Sequence, residues 1–471
     1  MPPQTLVEKI WDRHAVVTLD GGDVLLYVDR CLMHEGFWWN AVDALRERGL
    51  TVRRPANIIA CADHFVPTSG RALGHAGIDD PRRRELILRL ENEGRDLGVQ
   101  VIGMMDPRQG ILHVVAPEQG ITLPGMVIVG SDSHTSTHGA LGTIAFGIGT
   151  TEVTHVMATQ TLWQTAPKTM RITVGGRLAP DATAKDLILT IVGQLGVGGG
   201  AGMFVEYAGP AIEALSIEER LTVCNMSIEF GARAGLVAPD ERTFAYLEGR
   251  PHAPHGADWA AAVAQWRLLR TDDGARFDRE VAIDGARVVP MATWGTTLDQ
   301  VIAIDAPIPD PAVESDPTRR DALERALAYM DLRPGQRLRD VPVDRVFIGS
   351  CTNGRLEDLR AAAAVVRGRT TAVPAFVSPG SSDVKRAAEA EGLDRIFTAA
   401  GFGWHDSGCS MCAAANGDTL APNQRSAATS NRNFPGRQGP GSRTHIMSPA
   451  SAAATAIAGR ITGAVALGAP A

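Results

Sequence analysis

The chain has 471 residues, which predicts about three domains, and its 44% hydrophobic and 21% charged residues exclude wholesale disorder. A net charge of −7 and the lack of any basic run longer than residues 82–84 argue against a nucleic-acid-binding role. Residues 1–9 lack the apolar core of a signal peptide, and no apolar stretch reaches the roughly 18 residues of a membrane span, so we expect a soluble, cytoplasmic protein.

Short apolar runs alternate with helical patterns along the chain, which predicts an α/β fold with mainly parallel strands. Three of the predicted strands lead directly into polar residues. Because open α/β sheets bind their ligands at the carboxyl ends of the strands, these polar residues are candidates for a functional site. The strands and the residues that follow them are 58–60 with Asp63 and His64, 126–129 with Asp132, Ser133 and His134, and 346–348 with Cys351 and Asn353.

Changes in composition indicate domain boundaries. The Gly-rich stretch 193–202 is predicted as a loop of the second domain, and the Pro-rich segment 306–311 as irregular chain near the start of the third. Residues 355–366 have a helical pattern, and residues 452–471 are expected to form a packed helix with a frayed end. The predicted domains are residues 1–169, 170–290 and 291–471.

Three of the six cysteines, Cys351, Cys409 and Cys412, lie among polar or small residues. Cys409 and Cys412 form a C-x-x-C motif, which alone could belong to a structural zinc site, a redox pair or an iron–sulfur site. A closed zinc site would need four ligands, and a redox pair would be expected in a thioredoxin-like unit. Three thiolates suit a cubane cluster with one iron that has no protein ligand. The other cysteines, expected to be buried apolar residues, are Cys31, Cys61 and Cys224.

Imidazoles and carboxylates at the strand ends suit general acid–base catalysis. A lone ionisable residue among apolar ones, such as His113 or Glu229, is more often a satisfied core residue, but several that converge favour catalysis. His138 is interpreted as a helix cap or a surface residue and is left out. The candidate catalytic residues are Asp63, His64, His113, Asp132, His134 and Glu229.

Two arginines, Arg432 and Arg437, lie five residues apart around a predicted turn. Two guanidinium groups at one site would match a substrate with two or three carboxylates. A single arginine is more often a surface residue, so this pair gains weight only beside the other candidates.

These segments together resemble the aconitase superfamily, and within it the large subunits of 3-isopropylmalate dehydratases (isopropylmalate isomerases). The resemblance implies three aconitase-like α/β/α domains around a central iron–sulfur cluster site. It also implies a hydro-lyase that interconverts 2-isopropylmalate and 3-isopropylmalate in leucine biosynthesis. The likeness extends over residues 25–450 and is densest in residues 130–160, 222–239, 350–362, 408–412 and 429–439.

The resemblance also implies roles for the candidate residues. Cys351, Cys409 and Cys412 would hold one [4Fe-4S] cluster with one iron not bound by protein. Asp63 and His64 match the pair that protonates the departing hydroxyl group. The supporting imidazole–carboxylate pairs are His113 with Asp132, and His134 with Glu229. The positions that match substrate-contacting or cluster-contacting residues are His34, Ser133, Asn225, Asn431, Arg432 and Arg437.

Single-chain aconitases carry a fourth, swivelling domain that supplies the serine base, and this sequence stops after the third domain. We therefore expect a separate small subunit that carries the swivelling domain, in a heterodimer or a larger assembly. The substrate would be a small dicarboxylate or tricarboxylate, and we expect no nucleic-acid or membrane partner.

Two segments depart from the family pattern where they could affect specificity. Trp38 and Trp39 follow His34 in place of short polar and small residues and are expected to add bulky aromatic surface. Ala413 and Ala415 stand where larger aliphatic residues are expected, which would leave more space near the cluster. Compensating repacking of the core would explain both changes. The alternative is a pocket remodelled for another substrate, such as homocitrate, citramalate or a malate with a larger alkyl or aryl group.

Two other classes of protein stay open at the level of the sequence. A mononuclear zinc hydrolase could use the histidines and aspartates, with structural cysteines, and analysis of iron and acid-labile sulfide would distinguish it. A cluster-sensing RNA-binding role is known among aconitase relatives, but the acidic balance and the missing basic patch argue against it.

Overall fold

The computed structural model of the chain describes residues 2–468 and consists of two compact units. Unit 1 comprises the described residues up to Val66, Ala72–Arg177 and Gly198–Asp284, and unit 2 comprises Pro67–Arg71, Leu178–Val197 and the described residues from Gly285. Both units contain α-helices and parallel sheets, which confirms the predicted α/β fold. Within the described part of the chain, no helix has the length and apolar character that a membrane crossing requires.

The strands of unit 1 form two parallel sheets and one antiparallel sheet. In chain order they are β1 (Ala15–Thr18), β2 (Asp23–Tyr27), β3 (Arg30–His34), β4 (Ile58–Cys61), β5 (Gln100–Ile102), β6 (Val127–Gly130), β7 (Ile144–Gly147), β8 (Thr161–Thr165), β9 (Lys168–Gly175), β10 (Met203–Ala208), β11 (Ala234–Val237) and β12 (Arg279–Asp284). The parallel sheets have the orders β5-β4-β3-β6-β7 and β11-β10-β9-β12. The antiparallel sheet has the order β1-β2-β8.

Helices pack on the first parallel sheet of unit 1 through fully buried side chains. Leu32 of β3 and Ile128 of β6 lie in one apolar cluster with Leu112, where the fourth helix begins. Burial of each such side chain stabilises the fold by about 1.5–3 kcal/mol, and it holds the neighbouring His113 near the sheet. The helices of unit 1 are α1 (Leu6–His14), α2 (Glu35–Glu47), α3 (Pro81–Asp96), α4 (Leu112–Glu118), α5 (Thr150–Thr159), α7 (Pro210–Ala214), α8 (Ile217–Asn225), α9 (Glu241–Leu247) and α10 (Gly256–Trp266).

The carboxyl edge of this sheet gathers residues that are distant in the sequence. β3 ends at His34, and its neighbour β4 leads into Asp63 and His64. β6, on the other side of β3, leads into Asp132. Because the three strands are parallel neighbours, their carboxyl ends lie side by side, as the strand-end motifs predicted.

Unit 2 contains one parallel sheet of five strands and a two-stranded antiparallel sheet. Its strands are β13 (Met291–Thr293), β14 (Val301–Ala303), β15 (Arg345–Ile348), β16 (Ala375–Val377), β17 (Phe402–Trp404), β18 (Arg425–Ala428) and β19 (Arg443–Ile446). The parallel order is β17-β16-β15-β18-β19, and β13 pairs with β14. Its helices are α6 (Ala184–Leu195), α11 (Pro317–Met330), α12 (Ser350–Asn353), α13 (Leu356–Val366), α14 (Ser382–Ala390), α15 (Leu393–Ala399) and α16 (Pro449–Ala458).

Local predictions for unit 2 are confirmed in part. α13 is the helix predicted at residues 355–366, and it begins where Asp358 accepts the backbone N–H of Arg355 at 2.9 Å. The loop predicted at residues 193–202 is wrong at its start, because α6 continues to Leu195. α16 ends at Ala458, and residues 469–471 of the predicted frayed end lie outside the described residues. The division into three domains stays a prediction.

Candidate functional site

Unit 1 brings a group of ionisable side chains together at the carboxyl edge of its five-stranded sheet and on the elements beside it. All of them are buried or half-buried. They include every residue that the sequence predicted as catalytic. We call this group the histidine–carboxylate cluster: His34, Asp63, His64, His113, Asp132, His134 and Glu229.

His64 lies between two carboxylates. Its Nδ1 is 2.5 Å from Oδ1 of Asp63, and its Nε2 is 3.3 Å from Oδ2 of Asp132. Burial disfavours a charged imidazole, but the attraction of Asp63 and the hydrogen bonds to both carboxylates outweigh it and raise the pKa of His64 well above its ordinary value. The pKa of Asp63 is lowered despite its burial, because His64 stabilises the anion. The arrangement favours a protonated His64 and can therefore supply a proton.

Asp132 connects His64 to two further imidazoles. It caps the 3-10 helix Ser133–Leu141, and its Oδ1 accepts the backbone N–H of His134 at 2.6 Å. The same oxygen lies 3.3 Å from Nδ1 of His134 and 3.6 Å from Nε2 of His113. Burial would raise the pKa of Asp132, but the hydrogen bonds from the three imidazoles lower it well below its ordinary value.

His134 also pairs with Glu229, as the sequence predicted. Nε2 of His134 is 2.7 Å from Oε1 of Glu229. The 3-10 helix that carries His134 packs closely on β11, since a Cβ atom added at Gly139 would lie 1.7 Å from the carbonyl oxygen of Gly235. Only glycine fits at this position, and the close approach fixes the helix beside Glu229.

Two predicted substrate- or cluster-contacting residues of unit 1 lie on or against the same 3-10 helix. Ser133 is its first residue and is half-buried. Asn225 is fully buried, and its Nδ2 donates to Oγ1 of Thr137 at 2.8 Å. The contacts predicted for Ser133 and Asn225 with substrate or cluster stay a prediction.

His34, another predicted substrate-contacting residue, lies against His64. Its Nδ1 accepts the backbone N–H of Gly36 at 3.2 Å and so caps α2. The His34 and His64 rings stack with centroids 4.1 Å apart, and Phe37 meets His34 edge-on at 5.3 Å. Burial, followed by repulsion from His64, lowers the pKa of His34 to about 4, so this ring is neutral at neutral pH.

Sequence reasoning missed Glu35, which holds the loop that carries Asp63 and His64. The Glu35 side chain is fully buried and accepts the backbone N–H groups of Asp63 at 3.0 Å and of Phe65 at 2.6 Å. Burial and the nearby Asp63 raise the pKa of Glu35 to about 7. An acidic residue in the first turn of a helix is commonly a dipole partner, so the sequence contained no signal for this role.

Donor atoms of His34, His64 and Asp132 lie within 4.8 Å of one another, a spacing that a metal ion could use. Both ring nitrogens of His64, however, already face carboxylates. We therefore assign these residues to proton chemistry.

Two interpretations made for residues near the cluster are wrong. His138 is neither a cap nor a surface residue, because it is fully buried against His113. Trp38 does not add aromatic surface, since it is fully buried and its Nε1 donates to Glu93 of α3 at 3.1 Å. The exposed ring of this segment is Phe37, with 44% of its surface accessible.

Unit 2 contains the three cysteines of the predicted metal site. Cys351 lies in α12 directly after β15. Cys409 precedes the 3-10 turn Ser410–Cys412, in which the N–H of Cys412 donates to the carbonyl of Cys409 at 3.1 Å. All three thiols are buried.

Ser350 and Asn431 connect Cys351 with Cys412. The Ser350 hydroxyl is 3.2 Å from Sγ of Cys412 and 3.9 Å from Sγ of Cys351. Nδ2 of Asn431 donates to Sγ of Cys351 at 3.3 Å, and its Oδ1 is 3.6 Å from Sγ of Cys412. Ser350 has a φ of 82°, a costly conformation for serine that directs its hydroxyl to the sulfurs. Asn431 thus contacts two of the three cysteines, and its predicted contact with a cluster stays a prediction.

Behind this site lies Lys185, a fully buried cation that the sequence did not single out. Its Nζ donates to three neutral oxygens, those of the Asn353 side chain at 2.9 Å and of the Thr429 and Ser430 carbonyls at 3.0 and 2.8 Å. Burial lowers the pKa of Lys185 to about 7. The lysine holds the segment that follows Cys351 against the segment that leads to Asn431.

We expect Lys185→Met to change how stability depends on pH. Because the pKa of Lys185 is lower in the folded than in the unfolded chain, its contribution to stability is lost as pH falls from about 10 to about 7. Wild-type stability should therefore gain about 1.4 kcal/mol per pH unit over this range relative to Lys185→Met. Denaturant unfolding at several pH values measures it. Lys168→Met, at an exposed lysine, should match the wild type, and an equal pH dependence of wild type and Lys185→Met would contradict the expectation.

The two predicted substrate arginines follow Asn431 in the chain. Arg432 and Arg437 are both half-buried, and the guanidinium carbon of Arg437 lies 5.4 Å from the centre of the Phe434 ring. Between the arginines, Nδ2 of Asn433 donates to the carbonyl of Gly295 at 2.8 Å. The turn is thus anchored within unit 2, and the role of both arginines in substrate binding stays a prediction.

The remaining cysteines are buried, as predicted: Cys31, Cys61 and Cys224. Burial raises the pKa of Cys31 to about 12 and that of the other two thiols further above the ordinary range of a cysteine. Such thiols are not thiolates at neutral pH and are inert.

Fold and site thus define an α/β protein with a buried acid–base cluster in one unit and a three-cysteine site in the other. The sequence model of the aconitase family (aconitate hydratase) matches residues 8–459. The chain belongs to the aconitase family, whose members are hydro-lyases that bind a [4Fe-4S] cluster. Among solved structures, the holo-form of aconitase X from Thermococcus kodakaraensis matches with 13% sequence identity and a TM-score of 0.45, over 91% of this chain and 89% of that chain.

The residues present in unit 2 fit an iron–sulfur cluster. Its donor set consists of three buried cysteine side chains, and iron–sulfur clusters are held by cysteine thiolates. The hydroxyl of Ser350 and the amide of Asn431 point at two of these sulfurs, and hydrogen bonds to sulfur are a usual feature of such sites.

Proposed function

We propose that this chain is the large subunit of an iron–sulfur hydro-lyase that isomerises 2-isopropylmalate and 3-isopropylmalate by dehydration and rehydration, as in cytoplasmic leucine biosynthesis. The observation that carries the proposal is the Asp63–His64–Asp132 arrangement, a half-buried imidazole that two carboxylates favour in its protonated form. Membership of the aconitase family and the likeness of the sequence motifs to isopropylmalate isomerases support it.

In this proposal the acid group of the reaction is His64. The imidazolium gives its Nε2 proton to the departing hydroxyl oxygen and takes it back in the reverse direction. Asp63 keeps the ring charged and oriented. Before substrate binds, the Nε2 proton of His64 faces Oδ2 of Asp132, which lies 3.3 Å from Nε2. Glu35 keeps the Asp63–His64 loop in place through two backbone N–H groups.

Cys351, Cys409 and Cys412 would hold the [4Fe-4S] cluster, with one iron not bound by protein. When bound, the cluster supplies a Lewis acid for the hydroxyl and carboxylate of the substrate. Arg432 and Arg437 would pair with substrate carboxylates, because guanidinium groups bind them in a bidentate geometry.

The base that removes the carbon-bound proton is assigned to a separate small subunit that carries a swivelling domain. This part of the proposal rests on the likeness to two-subunit isomerases. It expects the purified chain alone to be inactive and a matching small subunit to restore turnover.

Anaerobic co-expression with candidate small subunits, followed by assays on a panel of substituted malates, tests the proposal. We expect interconversion of the two isopropylmalates by the complex only, with iron and acid-labile sulfide in the large subunit. Full turnover by the chain alone would refute the partner, and zinc without sulfide would refute the cluster and favour a zinc hydrolase.

A second candidate is the same chemistry on a malate with a larger alkyl or aryl substituent. The exposed Phe37 ring, edge-on to His34, favours it because it offers an apolar aromatic surface next to the acid group. Homocitrate and citramalate belong in the same panel.

Phe37→Ala separates the two candidates. If Phe37 contacts the substituent, the kcat/KM for benzylmalate should fall about tenfold relative to that for isopropylmalate. Trp163→Ala, at another exposed aromatic residue of unit 1, should leave the ratio unchanged. An unchanged ratio in Phe37→Ala, with isopropylmalate as the preferred substrate, would dismiss the second candidate.

A further inference from the structure

His138 is a fully buried imidazole that the proposed reaction does not use. It lies in the 3-10 helix Ser133–Leu141, which begins after Asp132 and carries His134 in its first turn. The hydroxyl of Thr143 donates to its backbone carbonyl at 2.7 Å and fixes the end of this helix. A buried imidazole needs hydrogen-bond partners for both of its ring nitrogens.

One partner is His113, which lies between two residues of the same segment. Nδ1 of His113 is 3.1 Å from Nε2 of His138, and Nε2 of His113 is 3.6 Å from Oδ1 of Asp132. The two imidazole rings meet edge-on with centroids 5.2 Å apart. Because the proton of a neutral imidazole is placed by the hydrogen bond at its other nitrogen, His138 controls whether Nε2 of His113, which faces Asp132, carries the proton.

The other partner is Thr122, in the buried loop after α4. Its Oγ1 is 2.8 Å from Nδ1 of His138. A neutral imidazole has one donor and one acceptor nitrogen, and a hydroxyl can donate. If Thr122 donates to Nδ1 of His138, then Nε2 of His138 carries the proton and donates to His113. His113 in turn carries its proton at Nε2 and directs this N–H toward Oδ1 of Asp132, 3.6 Å away.

With neutral rings, the opposite direction is unfavourable. It would place the proton of His113 at Nδ1, and the lone pair of Nε2 would then face the carboxylate of Asp132. An ionised carboxylate only accepts hydrogen bonds, so the approach of Nε2 of His113 to Oδ1 of Asp132 at 3.6 Å favours an N–H at Nε2.

We propose that His138 is a positioning residue which, together with Thr122, holds His113 in the neutral tautomer protonated at Nε2. Each donor then points to the next residue in the order Thr122, His138, His113 and Asp132. The last of these, Asp132, also faces Nε2 of His64. This relay concerns the resting protein and goes beyond the proposed function, since it does not depend on the substrate.

The tautomers can be measured on the full chain labelled with ¹⁵N-histidine, using long-range ¹H–¹⁵N correlation spectra in which His113→Gln and His138→Gln assign the two rings. We expect His113 to carry its proton at Nε2 and His138 at Nε2. Thr122→Val removes the donor to His138 with little change in volume and should shift both rings toward the Nδ1-protonated form. Thr122→Ser keeps the hydroxyl and should resemble the wild type.

A second pair of variants guards against a simple folding effect. His138→Leu should release the tautomer of His113, and His138→Gln, whose amide can still donate to His113, should restore it. Thermal unfolding identifies any variant that fails to fold. A His113 ring that is doubly protonated, or protonated at Nδ1, in the wild type would overturn the proposal. An unchanged His113 signal in folded Thr122→Val would overturn it as well. Neither result would affect the proposed isomerase function, which is tested by turnover.

Discussion

Replacing Cys412 with serine is expected to remove most of the iron and acid-labile sulfide from the anaerobically purified chain. The variant loses one of the three proposed thiolate ligands, and with it the sulfur that Ser350 contacts at 3.2 Å and Asn431 at 3.6 Å. Turnover of the complex with a small subunit should fall by roughly 10³-fold or more, because several kcal/mol of Lewis-acid stabilisation would be lost. Iron and sulfide analysis and steady-state assays measure the two effects.

Cys224→Ala is the matched control for this experiment. Cys224 is likewise a buried cysteine, but it lies in α8 of unit 1 among apolar residues, and burial raises its pKa. Its replacement should lower the free energy of unfolding by about 1 kcal/mol and leave the iron content unchanged. Full retention of iron and sulfide in Cys412→Ser, or an equal loss in Cys224→Ala, would contradict the assignment of the cluster ligands.

The strand-end residues could be predicted from the sequence because their placement follows from topology. An apolar run such as residues 58–60 indicates a buried strand, and parallel neighbours present their carboxyl ends at one edge. Asp63, His64 and Asp132 therefore meet although nearly 70 residues separate the first from the last. The pairing of His134 with Glu229 needed more, since it depends on how the 3-10 helix packs on β11, and only the family likeness indicated it.

The residues that sequence reasoning missed owe their roles to burial and not to a motif. Glu35, His138 and Lys185 each look like ordinary surface or capping residues in the sequence. Each becomes informative only because tertiary packing removes it from water and gives it specific partners. Trp38 shows the reverse error. An aromatic residue next to a candidate site is expected to add surface to the pocket, but the Trp38 side chain is buried and donates to Glu93 of α3.

His64→Gln should lower kcat by 10²- to 10⁴-fold, the usual contribution of a positioned proton donor, with a smaller effect on KM. The glutamine retains a polar side chain of similar length but has no proton to transfer at neutral pH. His155→Gln, at an exposed histidine of α5, should have wild-type kinetics. A His64→Gln variant with kcat within threefold of wild type would remove His64 from the acid role, and the Asp63–His64 pair would then be structural.

The pH profile tests why His64 is charged. Its folded pKa lies well above the unfolded value of 6.5, so the acid form is present below the raised pKa and kcat should fall as pH rises through it. Asp63→Asn removes the attraction that raises this pKa most, so the alkaline limb of the kcat profile should move to lower pH. The free energy of unfolding should also fall as pH rises. The contribution of protonated His64 is complete below pH 6.5 and is lost as pH rises through the raised pKa. This contribution should be smaller in Asp63→Asn. An alkaline limb at the same pH in both proteins would show that Asp63 does not raise the pKa of His64, although Oδ1 of Asp63 lies 2.5 Å from Nδ1 of His64.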